Sequence, residues 1–396
     1  MRTLIEHGTL LLESGEIRDG WLLIKGGVIE ALGAAEERPR NVEATHIDAK
    51  GAYISPGFID IHVHGGGGHD FMDGTEDAFV QASRLHLVHG TTALVPTTLT
   101  CSDEELYRAF DYFRCAKSVL LDKGPALLGL HLEGPYFSPE QAGAQDPAYL
   151  RNPEKSHYMP LLDAGGEDIL RVSAAVELPG AMELGDELHS RGIWASIGHS
   201  NATFQAVERA TYHGYSHITH LYSAMSTIRR EHAYRVLGVT ESPYLLDSLS
   251  VELISDGSHL PPELLRLICK HISLQRICLI TDAMRGAGMP DGSEPMLGSL
   301  ENGQKTVIRD GVAFLPDFSA FAGSVCTADR CVRTIRNATG LPMYQAVAMM
   351  SANPAKRIGV SERMGILAPN REANVLLFDK DVNIQRIFYK GKAAQF

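Results

Sequence analysis

Two histidines close the run Pro56-Gly57-Phe58-Ile59-Asp60-Ile61-His62-Val63-His64. The run reads as a buried strand, and alternation puts His62 and His64 on one face, roughly 7 Å apart along the chain. Two imidazoles at a strand end can grip one metal ion. Taken alone, the pair is equally well explained by two polar residues that happen to alternate. Gly65-Gly66-Gly67-Gly68 follows, a stretch without side-chain bulk where a substrate could approach the backbone.

Residues of the same kind close other apolar runs. His131 and Glu133 share a face at the end of one, and His199 follows another. His217 and His220 bracket a third, and Asp256 and His259 come after a fourth. Asp282 ends the last. Any single one of these is ordinarily a hydrogen-bonded polar residue. As a set at the mouths of separate strands they are a different observation: chance would scatter them over helices and loops, and in a barrel those ends converge on one central cavity. His217 is out of step with His220 in strand alternation and is expected to point into packing. Asp60 is placed to orient a neighbouring ligand, and Asp256 to hold the turn before His259.

Convergence requires a particular scaffold. Apolar strand-like runs fall at 58–62, 92–96, 127–132, 170–176, 193–197, 217–221, 250–254 and 276–280. Helical patterns lie between most of them. Ser102-Asp103-Glu104-Glu105 is a capping box, Asn201 is a candidate cap, and Pro261-Pro262-Glu263 opens another helix. A Gly/Pro-rich excursion occupies 286–322, and helices are expected at 327–338, 343–350 and 354–358. Eight strand–helix alternations predict an α/β fold, a (β/α)8 TIM-like barrel. The alternative is an open doubly wound sheet, which would gather its chemistry at one crevice. Both chain ends carry short strands broken by glycine turns, with Lys25-Gly26-Gly27 as a hairpin turn. Residues 1–55 and 362–396 are therefore expected to pair as a small β-sheet domain, with the barrel over 56–361.

Composition narrows the function. The 396 residues include 44% hydrophobic and 21% charged residues, and the net charge is −12. That balance argues against nucleic-acid binding, while a local basic pocket for an anionic substrate stays compatible with it. No apolar run spans a bilayer, and no signal peptide is visible. The six cysteines form no Cys-x-x-Cys pair, which points to reduced thiols and the cytoplasm. There is no nucleotide-binding glycine motif and no Gly-x-Ser-x-Gly elbow.

The motifs PGFIDIHVHG (56–65), GLHLEGPYF (129–137), IGHSNAT (197–203), THLYSAM (219–225), DGSHLPP (256–262), TDAM (281–284) and FAGS (321–324) occur in order along the chain. In them the chain resembles the metal-dependent amidohydrolase superfamily and, within it, the N-acetylglucosamine-6-phosphate deacetylase family. The resemblance implies a barrel with a small β-sandwich from both termini. It implies Glu133, His199 and His220 as principal metal ligands and His62 and His64 as a second-site pair. One or two divalent ions per subunit follow, Zn²⁺ or Fe²⁺, since imidazole suits both. Asp282 would take a proton from water and pass it to the leaving amine, and His259 would polarise the acetyl carbonyl. Phe321, Ala322, Gln145, Ser223, Ala224 and His131 are expected toward the substrate.

The phosphate end departs from the family pattern. Ser223-Ala224 stands where Asn-Ala is usual, and the arginine of an Arg-Glu-Pro-Gly loop is matched by Arg230, with Arg229 as the alternative. In the family this arginine can come from a neighbouring subunit, so a homodimer is implied. Asn374 replaces a usual aspartate in a structural segment. The rival readings keep the fold but change the substrate to another N-acylated sugar, an N-acyl amino acid or a cyclic amide. A rival of another class is a non-catalytic metal- or sugar-binding protein.

Overall fold

The computed structural model describes residues 2–394; Met1 and residues 395–396, assigned above to the terminal sheet domain, lie outside the described residues. Buried apolar runs form parallel strands in chain order: β1 Phe58–Val63, β2 Thr91–Pro96, β3 Leu130–Glu133, β4 Ile169–Ala174, β5 Trp194–Ile197, β6 Tyr215–Ile218, β7 Ser250–Ile254 and β8 Ile277–Ile280. The run expected at 127–132 is broken into Ala126–Leu127 and β3. At the break, a Cβ on Gly129 would meet Leu170 Cβ at 2.7 Å, so the crossing there admits only glycine.

The strands form a three-stranded sheet (β1, β2 and Ala126–Leu127) and a six-stranded sheet running from β3 to β8 in order. Their edges meet twice. Thr98 N donates to His131 O (2.9 Å) on one side, and Asp282 N donates to His62 O (2.9 Å) on the other. Leu94, Leu130, Leu132, Val172, Ala195, Ile197, Val251, Leu253 and Leu279 pack with helix residues such as Phe110, Phe113, Leu184 and Val332. Alternate positions, Ala93, Val95, Cys278 and Ile280, belong to a separate cluster. Burial on both faces is why these strands read as nearly continuous apolar runs. Each buried Phe or Leu contributes about 1.5–3 kcal/mol.

The helices begin where their caps allow. Glu105 N donates to Ser102 Oγ (3.3 Å) and Ser102 N to Glu105 Oε2 (3.1 Å), completing the capping box of helix Asp103–Leu120. The Pro261-Pro262 start holds for helix Pro262–His271. The Asn201 cap does not: helix Phe204–Thr211 is capped by Thr203, whose hydroxyl accepts from Ala206 N. Asn201 is still in the loop leaving β5, its N–H bound to Glu177.

Both chain ends build one eight-stranded sheet. Val375–Phe378 pairs antiparallel with Tyr53–Pro56, which pairs with Arg2–Leu12, followed by Gly15–Lys25 and Val28–Ala34. Gly26 and Gly27, at φ +60° and +87°, make the expected two-residue turn. Ile5, Leu10, Leu22, Ile54, Val375 and Leu377 form its apolar cluster, while Leu376, Phe378 and Ile387 join the main core. The 286–322 excursion contains short strands too. Val307–Arg309, Val312–Phe314 and Phe321–Ser324 form a three-stranded antiparallel sheet. Strands this short hold too few alternations to be read by period.

Candidate metal centre and its cavity

Six side chains arrive at one place from five strand ends. His62 lies in β1 and His64 just past it, while Glu133 closes β3. His199, His220 and Asp282 each follow a strand by two residues. These last three have φ of +46°, +28° and +47°, a left-handed backbone that costs non-glycine residues of order 1–3 kcal/mol. Each is tied down. His199 O accepts from Ser138 N (3.0 Å), and His220 O from Ser223 N (2.9 Å). Asp282 O accepts from Ser324 N (2.8 Å). The packed surroundings hold the turn that aims each side chain inward.

The polar atoms fall into two groups, His62 with His64 and Asp282, and Glu133 with His199 and His220. In the first, Nε2 of His62 and of His64 lie 3.3 Å apart, and Asp282 Oδ1 is 3.4 and 3.2 Å from them. In the second, Glu133 Oε1 is 3.3 Å from His199 Nε2 and 3.0 Å from His220 Nε2, which are 3.1 Å apart. Glu133 also reaches the first group, at 3.4 Å from His62 and 3.3 Å from His64.

This donor set fits a metal ion. Pairs of buried imidazole nitrogens face each other at distances where one shared cation satisfies both. His199 Nδ1 is 2.8 Å from Gln141 O and His62 Nδ1 is 3.1 Å from Glu252, so in each ring a proton on Nδ1 leaves Nε2 free to ligate. Burial alone would raise the Glu133 pKa, but His62, His199 and His220 hold it well below the ordinary carboxylate range. Burial alone would lower His64; Asp282 and Glu133 instead raise it to about 9. The carboxylates here thus attract positive charge strongly.

The amidohydrolase family model matches residues 53–394. The chain belongs to the amidohydrolase family. It is 33% identical over 390 residues to an N-acetylgalactosamine-6-phosphate deacetylase of Escherichia coli O157:H7, covering 98% of each chain. It is 32% identical over 397 residues to an N-acetylglucosamine-6-phosphate deacetylase of Bacillus subtilis (strain 168), covering 99% of this chain and 96% of that one. Among solved structures, it is similar to the Mycobacterium smegmatis N-acetyl-D-glucosamine-6-phosphate deacetylase in complex with N-acetyl-D-glucosamine-6-phosphate. There the TM-score is 0.90 and the identity 30%, covering 100% of this chain and 99% of that one.

In this amidohydrolase the donors open into a cavity of about 470 Å³. His64, Glu133, His199, His220 and Asp282 line one part of it. Gln145, Ser223, Ala224, His259 and Phe321 line the rest. Gln145 Nε2 donates to Glu133 Oε2 (2.8 Å), and its own Oε1 accepts from Thr100 N (2.8 Å). His259 Nδ1 lies 2.8 Å from Asp256 Oδ2, and Asp256 Oδ1 accepts from Ser258 N and His259 N. Asp256 therefore holds the turn, as expected, and orients the imidazole as well. Phe321 packs on His259, ring centroids 4.5 Å apart.

Other residues lie away from the cavity. Ala322 is fully buried beside Met284 and Ala313. His131 is buried, with Nε2 2.7 Å from Ser173 Oγ, and burial followed by Arg171 and His62 pushes its pKa well down. His217 packs beside Trp194 (4.2 Å between centroids), but it is not merely packed: Nδ1 is 2.7 Å from Ser250 Oγ and Nε2 3.4 Å from Glu252 Oε1. Asp60 meets the His62 backbone N–H and the Thr281 hydroxyl rather than an imidazole. Arg229 and Arg230 sit on the hairpin of Arg229–Glu231 and Tyr234–Val236. Arg230 is exposed, and Arg229 binds its neighbour Glu231.

Gly65 and Gly66 serve a purpose other than substrate access. They are buried and pair with Asp70 and His69, and a Cβ on Gly65 would meet His69 O at 2.2 Å. The space saved is used by the protein's own backbone. Sequence reading also missed Arg171 and Glu252. Their signal was present, a charge inside each of the apolar runs Ile169–Ala174 and Ser250–Ile254.

Proposed function

We propose that this chain hydrolyses the acetamide of N-acetyl-D-glucosamine 6-phosphate, giving D-glucosamine 6-phosphate and acetate. One observation carries the reading: two candidate metal-holding groups meet at Glu133, which belongs to one and lies within 3.4 Å of both histidines of the other, at the wall of a cavity that Asp282 and His259 also line. The relatives named above act on N-acetylated hexosamine 6-phosphates, and the chain spans nearly their full length. Glu133, His199 and His220 would hold the principal ion, with His62, His64 and Asp282 around a second. Zn²⁺ and Fe²⁺ both suit these ligands. Such an ion, when bound, acidifies water and polarises a carbonyl.

The chain's own residues do the rest. Asp282, ionised and acceptor-only, takes the proton of the attacking water and returns it to the leaving amine. His259 faces the acyl oxygen. Its ring is held in place through Nδ1 by Asp256, which leaves Nε2 directed at the cavity. Gln145 orients Glu133 and meets the sugar. Ala224 offers its backbone N–H toward the phosphate beside Ser223, whose own N–H is held by His220 O, and Arg230 or Arg229, from this subunit or a dimer partner, supplies the guanidinium fork. His131 and Ala322 support the cavity wall from behind.

The two parallel sheets are read as one closed (β/α)8 barrel over 56–361, supported by the bonds across both edges. The terminal sheet is read as a β-sandwich of 1–55 and 362–396, supported by its own apolar cluster. No helix among the described residues is long and apolar enough to cross a membrane, and all six cysteines are free. The reading is of a cytoplasmic homodimer working in amino-sugar breakdown or cell-wall recycling.

A second reading, N-acetyl-D-galactosamine 6-phosphate, is favoured by the Escherichia coli relative. Acetate release from both phosphosugars and from unphosphorylated N-acetylglucosamine decides. The proposal expects fastest turnover on the glucosamine phosphate. Faster turnover of the galacto epimer selects the second reading, and equal rates with and without phosphate remove the phosphate site.

A further inference from the structure

Behind the two donor groups lies a charged pair that takes no part in the chemistry above. Arg171 of β4 and Glu252 of β7 are fully buried and ion-paired. Taking such a pair out of water costs several kcal/mol per ion, and packed apolar residues often stabilise a core as well or better. Fold stability is thus a poor reason for its presence, and its contacts suggest another. Glu252 Oε2 lies 3.1 Å from His62 Nδ1 and accepts from His220 N at 3.2 Å. One carboxylate oxygen therefore touches a member of each donor group. Glu252 Oε1 is bound by Arg171. Arg171 is fixed in turn, its Nε donating to Ser196 Oγ (2.7 Å) and Nη2 to Thr219 Oγ1 (2.8 Å), with the Trp194 ring 5.1 Å from its guanidinium.

We propose that Glu252, clamped by Arg171, is a positioning residue that orients His62 so that the His62–His64–Asp282 group can hold a metal ion. An acceptor-only carboxylate at Nδ1 selects the tautomer with its proton there and leaves Nε2 as the ligating atom. The same oxygen restrains the His220 backbone at its positive φ. His64 Nδ1 has no partner among the described residues, so this group's only braced imidazole is His62. The inference rests on reading the six residues as metal sites.

Zinc binding to the metal-free full chain, by competition with a chromophoric chelator, tests both layers separately. The unaltered chain should take up two ions. In Glu252→Gln, one ion should weaken by about 10–100-fold and the other change little. The rate at fixed zinc should fall through kcat, with KM for the phosphosugar unchanged. The double variant Arg171→Met/Glu252→Gln, whose core is neutral, should show the same loss. If the double variant recovers full affinity, the single variant's defect is an unpaired Arg171, and the inference is wrong. Unchanged affinity in Glu252→Gln overturns it too, as does a single ion indifferent to that substitution. No zinc in the unaltered chain overturns the metal reading beneath it. Should the neutral variants not fold, Glu252→Asp keeps the charge and shortens the reach. It should lose affinity in the same direction, and full affinity there would also refute the role.

Discussion

The two donor groups use similar side chains and are anchored differently. His62 and His64 come from one chain segment, so strand alternation already places them together, and Asp282 joins across the edge where Asp282 N meets His62 O. Glu133, His199 and His220 come from three strands, and two of them sit on left-handed backbone. In the first group local geometry pairs the two histidines, the tertiary fold adds Asp282, and Glu252 braces His62. The second is assembled wholly by the tertiary fold and braced through Gln141, Gln145 and, at the His220 N–H, Glu252 as well. Proximity in sequence makes a pair easy to recognise, and Glu133, within 3.4 Å of His62 and His64 as well as beside His199 and His220, ties the two groups together.

That interdependence can be broken in graded steps. Asp282→Asn should cut kcat by about 10³-fold, within the range for a lost general base, while the ion on Glu133, His199 and His220 remains. Kinetics alongside metal analysis checks this, and surviving turnover would show that the proton takes another path. Chelation should abolish activity, and Zn²⁺ or Fe²⁺ should restore it. Glu133→Gln should weaken both ions, whereas His64→Asn should weaken only one, as read from metal content after dialysis. Equal losses from the two substitutions would erase the distinction between the groups. A smaller step concerns the hairpin. Arg230→Ala should raise KM for the phosphosugar about tenfold and leave the unphosphorylated sugar unaffected, with a weaker effect from Arg229→Ala.

A pH-dependent effect lies behind the first group, in His86, whose Nε2–H donates to Gly65 O (2.8 Å). Burial lowers its pKa from 6.5 to about 4. The unfolded chain therefore binds a proton that the folded chain refuses. The stabilisation is complete above about pH 6.5 and falls as the pH drops toward 4, by up to about 3 kcal/mol. Denaturant unfolding at pH 7 and pH 5 measures it, and His86→Gln should flatten the slope.

Much of this was legible without coordinates. The strand runs stood out because burial on both faces leaves few polar residues in them, and Ser102 and Pro262 announced their helices by local hydrogen-bonding chemistry. Asn201 was misread as a cap because its side chain suits the role, whereas the helix starts two residues later and Thr203 accepts its free N–H. Gly65 and Gly66 suggested room for substrate, whereas the room is taken by His69 and Leu85.

The sequence by itself determined the chemical inventory and its order: which imidazoles and carboxylates exist, and that they follow apolar runs. Strand periodicity and capping act over a few residues, so they survive in one dimension. Only the tertiary structure decided which atoms meet. The sharing of Glu133 between two groups, the backbone turns at His199, His220 and Asp282, and the reach of Glu252 from β7 to His62 in β1 all depend on contacts between distant segments. A charge within an apolar run signals that it must be compensated. It does not say by what, because the partner is chosen by packing in three dimensions.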